Sequence, residues 1–281
     1  MSHANEPSQP WTNPVKARLS QGLPVLGITL TTNSVEAAVQ AAGMGFDFLW
    51  AEMEHSPLSL ETLRNVVLAT RGLKALPFAR VPVNELWTAK RVLDAGVLGV
   101  MFPFTSTPEL ARQAVAACRY PPLGKRGSGA GLASARWQAP EGYHDFADAN
   151  VLVVAIIEEL SAVERIEEIA AVPGIDVLFV GPSDLSFSMG LRGDMGHPKV
   201  EEAMLKVVAA AKRHGKVTGR MTPGGADLGR ALYQGFLFLQ CPTELNFMAE
   251  GARRFLELGG RRLEAGVATS YVAGGPPTGQ T

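Results

Sequence analysis

The sequence is poor in cysteine. Of 281 residues only Cys118 and Cys241 are thiols. Two cysteines cannot build a disulfide scaffold, and neither has the CxxC neighbour of a thioredoxin-type or zinc-ribbon centre. An excess of charge is missing too: 26 Lys and Arg face 27 Asp and Glu, a formal net charge of -1. Without a basic excess, nothing draws the chain to nucleic acid or to an anionic membrane. No apolar run approaches the roughly 20 residues of a membrane helix. The opening MSHANEPSQPWTNP lacks the apolar core of a signal peptide. The expected location is therefore cytoplasmic. The Gly-rich stretches GSGAG (127–131) and PGG (223–225) have neither Walker nor GxGxxG spacing. The scattered aromatics form no stripe on which bases could stack.

What is present is an ordinary globular composition, 46% hydrophobic and 19% charged. Eight short apolar runs stand out, at 24–30, 46–53, 76–81, 99–104, 151–157, 176–181, 217–221 and 236–241. They are nearly continuous and rich in β-branched or aromatic residues, as strands buried on both faces are. An amphipathic helical pattern follows each. Thr107, Pro108 and Glu109 mark one helix start, and Ser161 with Glu164 has capping-box spacing. Gly45, Gly72, Gly96, Gly174, Gly215 and Gly235 stand where helices should stop. Eight β–α units in a core of about 250 residues predict a single (β/α)8 TIM barrel, an α/β fold, over residues 20–260. Residues 1–19 are expected to be a flexible arm and 261–281 an extended tail. Residues 121–150 read as a long excursion folding over the barrel mouth, since loops of this length usually serve function.

A barrel carries its site at the C-terminal strand ends. Those ends hold Glu52, Glu54 and His55 on the second strand, Arg80 on the third and Glu158 with Glu159 on the fifth. Gly181, Pro182, Ser183 and Asp184 follow the sixth, Arg220 closes the seventh and Cys241 the eighth. Glu158 and Asp184 are two carboxylates without a Cys or His cluster, a donor set for a hard divalent cation that keeps waters. The alternative is that both serve helix N-termini. Arg80 can clamp a carboxylate or an oxyanion, or pair with Glu54 or Asp94. His55, beside two acids, is placed as a general base. No lysine ends a strand, so imine chemistry is disfavoured.

The runs FDFLWAEMEHSPLSLETL, ARVPVNELWTAKRVLDAGVLGVMFP, ACRYPPLGKRGSG and VGPSDLSFSMG resemble the HpcH/HpaI aldolases. These are class II pyruvate aldolases typified by 4-hydroxy-2-oxoheptanedioate aldolase of aromatic compound catabolism. The resemblance implies a metal-dependent lyase that reversibly cleaves a 4-hydroxy-2-oxo acid to pyruvate and an aldehyde, through a metal-stabilised enolate. It implies Mg²⁺ or Mn²⁺, with Co²⁺ a further candidate, on Glu158 and Asp184. It makes Arg80 the stabiliser of the enolate oxygen, His55 the base, Glu52 its partner and Asp94 a supporting residue. Backbone amides from Gly181 through Pro182 and Ser183 to Asp184 would hold the substrate carboxylate. It also implies a homohexamer that exchanges the C-terminal helix. Two departures bear on substrate and reaction. Glu52 stands where the family often has Asp, and Ile156 where it often has Gln. Related chemistries are 2-oxo acid decarboxylation, as of oxaloacetate, and CoA-ester cleavage. The non-enzyme reading is a barrel that binds a 2-oxo acid without turnover.

Overall fold

The computed structural model describes residues 11–139 and 142–262. Eight strands pair in parallel and in sequence order, and β8 returns to β1 to close a barrel. The strands are β1 (Val25–Leu30), β2 (Phe48–Glu52), β3 (Leu76–Arg80), β4 (Gly99–Phe102), β5 (Leu152–Ile157), β6 (Val177–Val180), β7 (Val217–Met221) and β8 (Phe236–Thr243). The helices before β5 are α1 (Pro14–Ser20), α2 (Val35–Gly43), α3 (Leu60–Ala69), α4 (Leu86–Ala95), α5 (Pro108–Cys118), α6 (Gly131–Trp137) and α7 (Tyr143–Asn150). After it come α8 (Leu160–Glu164), α9 (Ile166–Ala170), α10 (Pro182–Ser188), α11 (Pro198–Arg213), α12 (Ala226–Gln234) and α13 (Glu244–Leu258). The predicted (β/α)8 barrel is the fold found. Every residue of β2 to β6 is buried, which is why those strands read as unbroken apolar runs.

An aromatic plug fills the barrel. Phe48 stacks on Phe78 and Phe238 with ring centroids 5.1 and 4.5 Å away, and Trp50 lies 5.0 Å from Phe179. Room for the plug comes from a small residue on the facing strand. A Cβ on Gly27 would stand 2.0 Å from the Phe48 ring, so only glycine fits there. The plug is the floor on which the mouth is built.

Three local expectations are corrected. Residues 14–20 are not part of an arm. They form α1, capped by Asn13, which accepts from the Val15 amide at 2.9 Å and is tied to Asn150. Burial of Val15 and Leu19 holds this helix on the barrel. Residues 1–10 and 263–281, the rest of the expected arm and most of the tail, lie outside the described residues. The described residues of the excursion do not cover the mouth. Trp137 Nε1 donates to the Gly96 carbonyl at 2.8 Å and Arg136 Nε to that of Val67 at 2.9 Å. Both carbonyls end helices on the opposite face of the barrel. An aromatic cluster of Trp11, Trp137 and Phe146 keeps the segment there. Ser161 is not the cap: α8 begins two residues earlier, with Glu159 at its N-cap and the Leu160 amide taken by Ser188 Oγ.

Candidate active site

The mouth holds a cavity of about 400 Å³. Glu52, His55, Arg80, Glu158, Gly181, Pro182, Ser183 and Asp184 all line it. The fold therefore gathers every expected site residue except Asp94. Asp94 lies in the last turn of α4, at the far end of the barrel, with its carboxylate 3.2 Å from Arg126 Nη2. Arg220 also stays out. Side chains alternate along β7, so Met221 faces the cavity while Arg220 turns outward to Asp227 at 2.8 Å.

Glu52 has a different job from the one expected. Its carboxylate accepts from Trp50 Nε1 at 3.1 Å, the Glu54 amide at 2.9 Å and the His55 amide at 3.0 Å. It thus joins the plug to the turn that carries His55, gripping that turn by its backbone. The His55 ring is 57% exposed, with Nε2 at 3.7 Å from Glu54 Oε2. Glu54, not Glu52, is the acid beside the imidazole.

Arg80 bridges both acids. Its Nε stands 3.2 Å from Glu52 Oε1, and its Nη2 contacts Glu54 Oε2. Cavity lining and pairing with Glu54 are both met by one side chain. One guanidinium cannot compensate two carboxylates, and burial pushes the Glu54 carboxyl up to about 7 despite the Arg80 contact.

Glu158 is 1% exposed. One oxygen accepts from the Phe104 amide at 2.6 Å. Below it on β5 is the fully buried, apolar Ile156. Desolvation by this setting pushes its carboxyl up to about 7 as well, and the charge of Asp184 adds to the rise. Among the described residues neither Glu158 nor Asp184 has a cationic partner within ion-pair distance. Gly181 lies against Glu158; a Cβ there would meet Glu158 Oε2 at 3.0 Å.

Glu52, Glu54, Glu158 and Asp184 thus face one guanidinium. A buried carboxylate beside a half-buried one, with no ion-pair partner for either among the described residues, fits a divalent cation, which would supply the missing charge. Among the described residues no group of three or more His, Cys, Asp or Glu is arranged to hold a metal. The two carboxylates therefore suit an ion that completes its shell with water and substrate oxygens.

The expected run of carboxylate-binding amides is shorter than the sequence suggested. Pro182 has no N–H, and the Gly181 amide is taken by the Ile157 carbonyl at 3.1 Å. The amides of Ser183 and Asp184 open α10 and have no partner within the helix.

Of the arc formed by β7, β8 and β1, the sequence marked Cys241 but missed the rest. Met221, Gln240, Cys241, Thr243, Thr29 and Thr31 line it. The alternation Gly27, Thr29, Thr31 was the available signal, since Gly27 faces the plug. Both cysteines are free and buried, and burial pushes Cys118 up to about 12 and Cys241 to about 11. Neither is a nucleophile at neutral pH.

Acid groups, one arginine and an exposed imidazole gather at the C-terminal mouth of a parallel barrel. The family model described as HpcH/HpaI aldolase/citrate lyase matches residues 27–250. A hydroxypyruvate/pyruvate aldolase of Paraburkholderia phytofirmans is 34% identical over 253 residues, 88% of this chain and 97% of its own. A 2-dehydro-3,6-dideoxy-6-sulfogluconate aldolase of Pseudomonas putida is 36% identical over 247 residues, 88% and 97% of the two chains. The solved structure of an HpcH/HpaI aldolase/citrate lyase family protein from Burkholderia cenocepacia superposes with a TM-score of 0.82 at 35% identity, covering 88% of this chain and 99% of that one. The chain belongs to the HpcH/HpaI aldolase/citrate lyase family.

Proposed function

We propose that this protein is a divalent-metal-dependent aldolase that reversibly cleaves a 4-hydroxy-2-oxo acid to pyruvate and an aldehyde. The observation that carries this reading is the pair Glu158 and Asp184, which have no ion-pair partner among the described residues and face Arg80 across one cavity. Mg²⁺ or Mn²⁺ fits these donors, with Co²⁺ a further candidate. Once bound, such an ion supplies Lewis-acid polarisation of the 2-oxo group.

The side chains do the rest. The amides of Ser183 and Asp184, at the start of α10, donate to the substrate carboxylate. His55 takes the proton of the C4 hydroxyl, and Glu54 beside it orients the ring. The C3–C4 bond breaks, the aldehyde leaves, and the electron pair moves toward the C2 oxygen. Arg80 donates to that oxygen as its charge grows, fixed in place by Glu52 and Glu54. Proton return to C3 gives pyruvate.

Release of pyruvate from 4-hydroxy-2-oxo acids by chelator-stripped protein, with and without Mn²⁺, tests the reading. Glu158→Gln should abolish the metal-dependent rate and the Mn²⁺ binding seen by calorimetry. Release from oxaloacetate alone would instead make the protein a decarboxylase. The relatives' names put hydroxylated acids and sugar acids ahead of the heptanedioate as substrates.

We also place the protein in the cytoplasm as a homo-oligomer, a hexamer by family resemblance. Two free cysteines support the first point. For the second, α13 has no buried residue and exposes Phe247, Met248, Phe255 and Leu258. Among the described residues no helix is long and apolar enough to cross a membrane.

A further inference from the structure

The reacting groups occupy the part of the barrel from β2 to β6. The remaining arc, from β7 through β8 to β1, is the wall that the far end of a second substrate would meet. None of its cavity-lining residues is charged. Its hydroxyl protons are already committed. Thr29 Oγ1 donates to the Cys241 carbonyl at 2.8 Å, Thr31 Oγ1 to Glu244 at 3.3 Å and Thr243 Oγ1 to Asn246 Oδ1 at 2.7 Å. Glu244 is itself held by the amides of Thr31 and Thr32, so it brings no free charge to the wall.

This accounting fixes the Gln240 amide. With its proton given to Cys241, the Thr29 hydroxyl can only accept, so the group facing it must be the amide nitrogen. Gln240 Nε2 indeed donates to Thr29 Oγ1 at 3.1 Å. The amide oxygen is thereby turned to the other side, on a residue that lines the cavity. Among the described residues no donor bonds it. The wall therefore offers an acceptor to a substrate and almost no donor. It suits a neutral hydroxyl group and gives a carboxylate no cation to pair with.

We infer that Gln240, positioned by Thr29, reads a hydroxyl on the aldehyde partner, so that the enzyme selects short hydroxyaldehydes over unsubstituted aldehydes. The inference rests on the aldolase reading and deepens it. Gln240 is the specificity-determining residue and Thr29 is a positioning residue that acts through it.

The experiment compares two aldehydes of equal size, glycolaldehyde and propanal, each condensed with pyruvate by the metal-loaded enzyme. The readout is the ratio of the two kcat/KM values. This ratio is measured in one preparation, so a poorly folded fraction cancels. The net worth of one neutral hydrogen bond sets the scale, so the native ratio should favour glycolaldehyde by about two- to twelvefold. In Gln240→Leu the ratio should collapse to near one. In Thr29→Val it should fall part of the way, and adding Thr29→Val to Gln240→Leu should change it no further. A native ratio near one overturns the inference, as does a ratio that Gln240→Leu leaves intact. Deuterium exchange into the pyruvate methyl group, followed by NMR without any aldehyde, separates the two levels. Exchange with no discrimination sinks the inference alone, whereas no exchange in the native enzyme sinks the aldolase reading beneath it.

Discussion

Glu52 holds His55 by its backbone and not by its ring: the His55 amide donates to Glu52 Oε1 at 3.0 Å. The same carboxylate meets Trp50 Nε1 and the Glu54 amide. A group that satisfies three donors and pairs with Arg80 sets the height and slope of the turn beyond β2. Glu52→Ala strips all of them at once. At about 1 kcal/mol per hydrogen bond, the variant should lose roughly 2–4 kcal/mol of stability. kcat should fall by at least about tenfold as His55 and Arg80 lose register. Glu52→Gln keeps an acceptor for the amides but removes the charge facing Arg80. It should recover most of the stability and little of the rate. Denaturant melts and pyruvate release, measured together, check this; equal recovery of both would show that Glu52 is only structural.

Gly181 sits where any side chain would press on the proposed metal donor. An added Cβ would come within 3.0 Å of Glu158 Oε2 and 3.1 Å of Glu158 Cβ. The backbone itself is compatible with alanine, since φ is -93°. Gly181→Ala should therefore fold, with its melting temperature lowered by only a few degrees, while Mn²⁺ affinity drops by about tenfold. Calorimetric titration of Mn²⁺ into native and variant protein checks this. Unchanged affinity would mean that Glu158 is free to move aside, and would weaken its place as a donor.

How far the sequence could be read follows from which physical rule was local. The strands were legible because burial on both faces writes an uninterrupted apolar run, as in Leu152–Ile157. Arg80 and Glu158 were legible because a charge closing such a run must sit at the mouth. Asp94 was misplaced because the resemblance carries over a residue type and not the end of the barrel it occupies; α4 carries it to the opposite face. Arg220 was misplaced by one residue of alternation. The position of 121–150 depended on aromatic packing with Trp11, a partner more than 100 residues away. Gln240 was invisible, because its orientation is set by where the Thr29 proton goes between β1 and β8, strands more than 200 residues apart in sequence.

The raised Glu54 carboxyl has a consequence for stability. Its ordinary value of 4.5 rises to about 7 in the fold, chiefly through burial. The native state therefore keeps a proton that the unfolded state releases. Stability from this group is fully present below pH 4.5 and is lost as the pH rises through about 7. In metal-free protein the melting temperature of Glu54→Gln, which mimics the protonated form, should overtake that of the native chain as pH climbs through this window. Melts at half-unit pH intervals in chelator test the sign. A gap that does not widen toward pH 7 would mean that Arg80 keeps Glu54 ionised throughout.

The last helix leaves a surface that one copy of the chain does not use. Phe255 and Leu258 are 77% and 89% exposed, although Thr243 and Asn246 cap the helix firmly at its start. A well-capped helix with an apolar stripe and no buried residue spends hydrophobic area on water, and a second copy would recover it. Two charges placed on the stripe, Phe255→Glu with Leu258→Glu, should shift the protein to a smaller species in light scattering coupled to gel filtration. The barrel should keep its melting transition, because neither residue touches its core. If α13 exchange also completes the mouth of a neighbour, pyruvate release per site should fall with the loss of assembly and return at high protein concentration. A native protein that is already monomeric would remove the oligomer from the account and leave the mouth of a single barrel to perform the whole reaction.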